Sequence, residues 1–284
     1  MVFGLLLLVG GVAAGGFGAL LGLGGGILIV PLLTLGFGLP LRDAVGVSLV
    51  CVIMTSSAAA GVYTERRAAN LRLGLTLELF TVVGALVGGS IAFLLDERLL
   101  SGLFAALLLY VAATMARSGR TPTATAEPSQ AEDPDAHPPI TAVPPLAADP
   151  PLAADPPLAA DPPILGMRLG AVGSFGAGIV SALLGIGGGI IKVPLMHLGM
   201  GVPLRVATAT SNLMIGITAA TSAVIYALNG GIDPYVAGPT AIGVFVGATA
   251  GSRVAHRIRL RHLRLLFVVV LGYTAIQMIG KALG

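Results

Sequence analysis

Residues 22–31 read GLGGGILIVP, and residues 185–194 read GIGGGIIKVP. The echo runs further. Residues 15–48 laid on residues 178–211, at a constant shift of 163 and without gaps, agree at 20 of 34 positions. Gly22, Gly24, Gly25, Gly26, Pro31, Gly36, Gly38, Pro40, Arg42 and Ser48 meet Gly185, Gly187, Gly188, Gly189, Pro194, Gly199, Gly201, Pro203, Arg205 and Ser211. Agreement of that length without gaps implies duplication. Both copies lie in very apolar sequence, where a glycine cluster followed by proline breaks a helix. Broken helices at matching places in two apolar halves are the pattern of a transporter binding site.

The composition agrees with a membrane solvent. Charged residues make up 10% of the chain and hydrophobic residues 55%, whereas an ordinary soluble domain is about 25% charged. Apolar segments are expected at 2–23, 26–39, 45–63, 73–95 and 98–116, and again at 165–186, 189–202, 206–228, 235–252 and 263–282. Most approach the roughly 20 residues that a spanning helix needs. The second segment of each half does not, so each glycine cluster is expected to be a hairpin tip or a break between half-helices. Non-helical backbone at membrane depth is tolerated only inside protein or beside a watery cavity. The expected fold is therefore an all-α polytopic membrane protein of two inverted repeats, each a broken-helix hairpin plus three transmembrane helices. The first repeat takes residues 1–116 and the second 164–284. The opening residues lack a basic start and run directly into the repeat, so they are not expected to be a cleaved signal peptide.

Residues 117–163 are a different material. Thirteen of the 19 prolines fall there, and PPLAAD occurs three times in succession from 144 to 161. This composition reads as a disordered or polyproline-like cytoplasmic tether. Outside it, 14 basic and six acidic residues give a net charge of +8. With no soluble binding module to carry them, these are loop charges, and nucleic acid is not an expected partner. The loop after the third segment carries Arg66, Arg67 and Arg72, while its counterpart around Asn229–Pro234 carries no base. The next loops reverse the bias, with Asp96, Glu97 and Arg98 against Arg253, Arg257, Arg259, Arg261 and Arg264. Positive residues favour the cytoplasmic side, so the swap predicts halves inserted upside down, with both termini outside.

The doubled G-x-G-G-G-x-x-x-x-P element, the following G-x-P-x-R and the Ser/Thr-rich helix after it resemble the TauE/SafE family of sulfite and organosulfonate exporters. The resemblance covers nearly the whole chain except the linker. It implies a prokaryotic inner-membrane permease for small anions, sulfite or related sulfur-containing organic anions, with export as the expected direction. The acidic PPLAAD tether lies outside that pattern.

A half-helix that starts after the glycines exposes unpaired N–H groups with partial positive charge, which suits an anion. Gly24, Gly25 and Gly26, with Gly187, Gly188 and Gly189, are thus candidate substrate-binding positions; the alternative is that they only permit close helix packing. Lys192 breaks the symmetry, since Ile29 stands opposite. It is a candidate to neutralise the anion, or else it snorkels to a surface. Ser48, Ser211 and Asn212 are the favoured hydroxyl and amide donors in the following helices. Glu78 and His197 are candidate proton carriers. No metal-spaced histidines, paired carboxylates or Ser-His-Asp set occur in the sequence, so neither an enzyme nor a cofactor or metal site is expected. The expected partners are a small anion and the lipid bilayer, and the sequence leaves the oligomeric state open. A non-transporting scaffold or assembly factor, or a permease for an unrelated carboxylate, is the competing reading. A single cysteine, Cys51, sits in an apolar run and reads as an inert thiol.

Overall fold

The computed structural model describes residues 2–20, 26–65, 70–117, 164–254 and 260–283. The tip residues Gly24 and Gly25, the arginines Arg66 and Arg67 and the 118–163 part of the tether lie outside the described residues. Among those described, every regular element is helical. The first half holds α1 (Val2–Leu20), α2 (Gly26–Pro31), α3 (Leu41–Glu65), α4 (Leu71–Leu94) and α5 (Glu97–Arg117). The second holds α6 (Ile164–Leu184), α7 (Gly189–Pro194), α8 (Leu204–Leu228), α9 (Pro234–Val254) and α10 (Leu260–Leu283). The shift of 163 carries α2 onto α7 and α3 onto α8 residue for residue. Four of the described helical stretches are long and apolar enough to cross a membrane: Leu71–Leu94, Glu97–Thr114, Gly166–Leu184 and Val206–Leu228.

The short second arm of each half widens after its proline. Pro31 and Pro194 end α2 and α7, and π-helical turns follow at Leu32–Gly36 and Leu195–Gly199. Proline has no N–H, so it leaves a carbonyl of the preceding turn without its donor, and the next turn loosens to compensate. The expected segments 26–39 and 189–202 are therefore too long. The helical arm stops at Gly36 and Gly199, because Gly38 and Gly201 take left-handed φ of 68° and 70° and Pro40 and Pro203 start the next helix.

Each arm folds back on the helix before it. The rings of Phe3 and Phe37 meet edge to face at 5.6 Å, and a Cβ on Gly10 would stand 3.1 Å from Leu32. In the second half Gly170 faces Met200 and Gly173 faces Leu195. As numbers rise on one arm they fall on the other, so both units are antiparallel hairpins. The halves then interlock. α1 packs on α9 and α6 on α4. A Cβ on Gly11 would lie 2.6 Å from Thr240 O, and one on Gly88 would lie 2.5 Å from Ile179 O. Small residues at four-residue spacing, Gly11 and Gly15 against Gly243 and Gly247, let these backbones touch, as helices in lipid require. Corresponding helices cross between halves in opposite directions: along α3, Gly46 meets Gly231 just beyond the end of α8, whereas Ser56 Oγ donates to Asn212 O within α8 at 2.6 Å. Large apolar side chains such as Leu79, Val172 and Ile276 point outward, 70%, 73% and 67% exposed, a surface suited to lipid rather than water.

Candidate functional site at the second hairpin tip

The two hairpin tips meet. A Cβ on Gly26 would stand 2.8 Å from Gly185 O, and Ser48 Oγ donates to Gly185 O at 2.8 Å while lying 3.3 Å from Gly26 O. A hydroxyl has one proton, so Ser48 is committed to holding the tips together. The sequence placed it among substrate donors; the structure places it as a staple between them.

The second tip has the backbone of a bound turn. Gly187 and Gly188 take φ of 80° and 74°, the left-handed region that a side chain disfavours. Gly188 caps α7, and Ile191 and Lys192 donate the first bonds of the arm to its carbonyl at 3.2 and 3.1 Å. The N–H groups of Gly189 and Ile190 precede those bonds and take no backbone partner among the described residues.

Around this turn the structure gathers polar groups in an otherwise apolar interior. Ser211, directly after Thr210 of α8, is 1% exposed, and its hydroxyl has no partner; Ser181 of α6 is 0% exposed and likewise unpartnered. A Cβ on Gly188 would lie 3.3 Å from Ser181 Cβ and 3.6 Å from Lys192 Cε, and one on Gly189 would lie 3.7 Å from Ser211 Oγ. The two free hydroxyls and the lysine stem therefore border consecutive tip glycines. A small pocket beside them is lined by Ser181, Gly188, Ile190, Ile191, Val180 and Leu107. Ser174, on the same helix, is a third buried hydroxyl without a partner. Buried hydroxyls ordinarily find partners, so the two that border the tip, Ser181 and Ser211, mark a place built for something else.

Lys192 does not snorkel. Its side chain is 1% exposed, and Nζ donates to Glu78 Oε2 at 3.0 Å and to Thr218 Oγ1 at 2.7 Å. Thr218 Oγ1 lies 2.5 Å from Glu78 Oε1 and 3.0 Å from Met214 O. The three side chains come from α7, α4 and α8. Two bonds set their register: Asn70 Oδ1 caps α4 by accepting from Leu73 N, and Asn70 N donates to Thr210 Oγ1. Eight residues further along each helix, Glu78 arrives level with Thr218. Burying a charge in a membrane interior is expensive unless it is paired, and this pairing is what lets both charges sit inside.

The remaining candidates are placed apart from this cluster. Asn212 is half-buried, with its carbonyl accepting from Ser56. His197 lies in the π-helical turn, exposed, with Nδ1 2.9 Å from Val202 O. It belongs to the base of the hairpin, not to the Glu78 cluster. Sequence reasoning missed Ser181, ranked Thr218 below Ser48, Ser211 and Asn212 among the hydroxyls and amides of these helices, and treated Glu78 and Lys192 separately. A signal existed: the shift of 163 sets Glu78 against Ala241 as it sets Lys192 against Ile29. Two charges that both lack a counterpart, one acid and one base, are candidates to be each other's partner.

The helices that carry these groups lie within the span that a known family matches. The family model described as Sulfite exporter TauE/SafE matches residues 7–278. A protein of Bacillus subtilis (strain 168) described as probable membrane transporter protein YunE is 26% identical over 288 residues, covering 98% of both chains. One of Methanocaldococcus jannaschii, described as probable membrane transporter protein MJ0441, is 26% identical over 290 residues, covering 96% of this chain and 94% of its own. No solved structure matches. With both hairpins and the polar tip inside the matched span, this all-helical, multi-pass membrane protein belongs to the TauE/SafE family.

Proposed function

We propose that the chain is a secondary transporter of small anions, exporting sulfite or related sulfur-containing organic anions across a prokaryotic inner membrane. The observation that carries the reading is the second tip: two fully buried hydroxyls without partners and two backbone N–H groups, beside a buried lysine, on a duplicated broken helix. Neutral donors around one cation suit an oxyanion that must bind and then leave. Gly187, Gly188 and Gly189 let backbone approach it, Ser211 and Ser181 supply hydroxyls, and Lys192 supplies charge. Gly26, with Gly24 and Gly25 beyond the described residues, brings the first tip against this one. The antiparallel crossing of α3 with α8, together with the swapped arginine bias, supports halves inserted upside down, which would give each half one face of an alternating-access path. Family membership and two relatives described as probable membrane transporters support the transporter class.

The test is flux of labelled anions into proteoliposomes of the purified full chain, with sulfite, organosulfonates and small carboxylates in one panel. Saturable flux of sulfur oxyanions in preference to carboxylates is expected. Flux of carboxylates alone would move the substrate class, and no flux of any anion would leave the scaffold reading in place.

A further inference from the structure

We infer that Glu78 is the resident anion of the Lys192 subsite, displaced and protonated when the substrate anion arrives, so that each anion crosses with one proton. This rests on the transporter reading above and adds its coupling ion. Four observations lead to it. First, Lys192 already holds a carboxylate at 3.0 Å, so an incoming anion at Nζ must compete with Glu78. Second, the competitor's place is furnished: Gly188 lies against both the lysine stem and Ser181, the next glycine lies against Ser211, and both hydroxyls are free. Third, the pair joins the halves, since Glu78 belongs to α4 of the first and Lys192 to α7 of the second. A switch of partner at Lys192 therefore loosens one half from the other, which is the motion a two-half carrier needs. Fourth, the fold does not require the pair. Ile29 and Ala241 occupy the equivalent positions, both buried, and Thr55 stands where Thr218 does.

The charges balance. In the empty state Lys192 and Glu78 sum to zero. The substrate anion takes the Lys192 hydrogen bond, and the Glu78 carboxylate, now without its cation inside a membrane protein, takes one proton from solvent. For a singly charged anion the site again sums to zero, with anion and proton aboard. On release the anion leaves, the proton leaves Glu78, and the Lys192 bond re-forms. Thr218 can follow both states, because its hydroxyl donates to a carboxylate and accepts from a protonated acid. Other titratable groups stand back. On α4 Arg72 is exposed, and on α6 Arg168 is exposed. On α8, Arg205 lies in the first turn and Tyr226 donates to Ala182 O at the far end. On the hairpin arm, His197 is exposed and turned to Val202.

The experiment loads proteoliposomes of the full chain with a pH-reporting dye and adds an inward gradient of isethionate, methanesulfonate or sulfate, none of which titrates near neutral pH. With wild type, anion entry should acidify the lumen. With Glu78→Gln, dye response to anion entry should be lost while slowed anion-for-anion exchange persists. Because a lone buried lysine can disturb folding, the paired variant Lys192→Ile with Glu78→Ala, which copies Ile29 and Ala241 at the equivalent positions, serves as the second test. It should fold and lose transport. Anion flux by wild type without acidification would overturn the proton coupling and leave the transporter reading standing. Wild-type transport rates in the paired variant would overturn it too, making the pair a structural rivet. No movement of any panel anion by wild type would refute the transporter reading for these anions, and the coupling with it.

Discussion

Stability at positions 78 and 192 should be strongly non-additive. Lys192→Ile removes the cation and leaves the Glu78 carboxylate with Thr218 alone; Glu78→Ala leaves the ammonium with Thr218 alone. The pair is 3.0 Å apart, with side chains 1% and 4% exposed. Removing one member of such a pair costs about 3–5 kcal/mol, since the survivor is a buried, uncompensated charge, whereas replacing both with apolar groups is often neutral or stabilising. The double variant takes the residues found at the equivalent positions, Ile29 of the first half and Ala241 of the second, both of which are buried. It should therefore cost less than either single change, against the roughly 6–10 kcal/mol that simple addition of the two singles would give. The assay is reversible unfolding in mixed detergent micelles for wild type, both singles and the double, at alkaline pH for Lys192→Ile so that proton uptake does not mask the orphaned carboxylate, and at acid pH for Glu78→Ala so that proton loss does not mask the orphaned ammonium. Near-neutral singles, or a double equal to their sum, would refute the argument that these charges are held inside by each other.

Gly188→Val should abolish anion flux while the protein still inserts and purifies as a single species, because φ is 74° and a Cβ would press within 3.2 Å of Ala177 O; strain of this kind costs on the order of 1–3 kcal/mol, and flux close to wild type would return the glycine to a packing role. Gly88→Leu should prevent α6 from seating on α4, since a Cβ alone reaches 2.5 Å from Ile179 O; a monodisperse, heat-stable variant would contradict the packing described. Replacing residues 125–160 with a shorter Gly/Ser linker should preserve folding and flux, as closure entropy changes slowly with loop length; loss of folding would mean that the tether docks on the core. A cysteine at Gln130 and one appended after Gly284 should label from opposite faces of right-side-out cells, while Cys51, 0% exposed, stays silent; labelling from the same face would sink the inverted arrangement.

The duplication, the all-helical membrane class and the two breaks were legible in the chain because each rests on local chemistry. Apolar length selects a spanning helix, and glycine with proline stops one, whatever surrounds it. Even the asymmetric charges could be read, as Lys192 against Ile29 and Glu78 against Ala241. Their union could not, because 114 residues separate them and only the packing of α4 on α6 and α8 brings them within 3.0 Å. The same holds for the hydroxyls. Ser48 and Ser211 occupy equivalent sequence positions, yet one bridges the two tips and the other is left without a partner. Sequence symmetry predicts like roles for like residues. Which carbonyl lies within reach of each hydroxyl is decided by how the interlocked halves seat against one another, and that is a property of the tertiary structure alone.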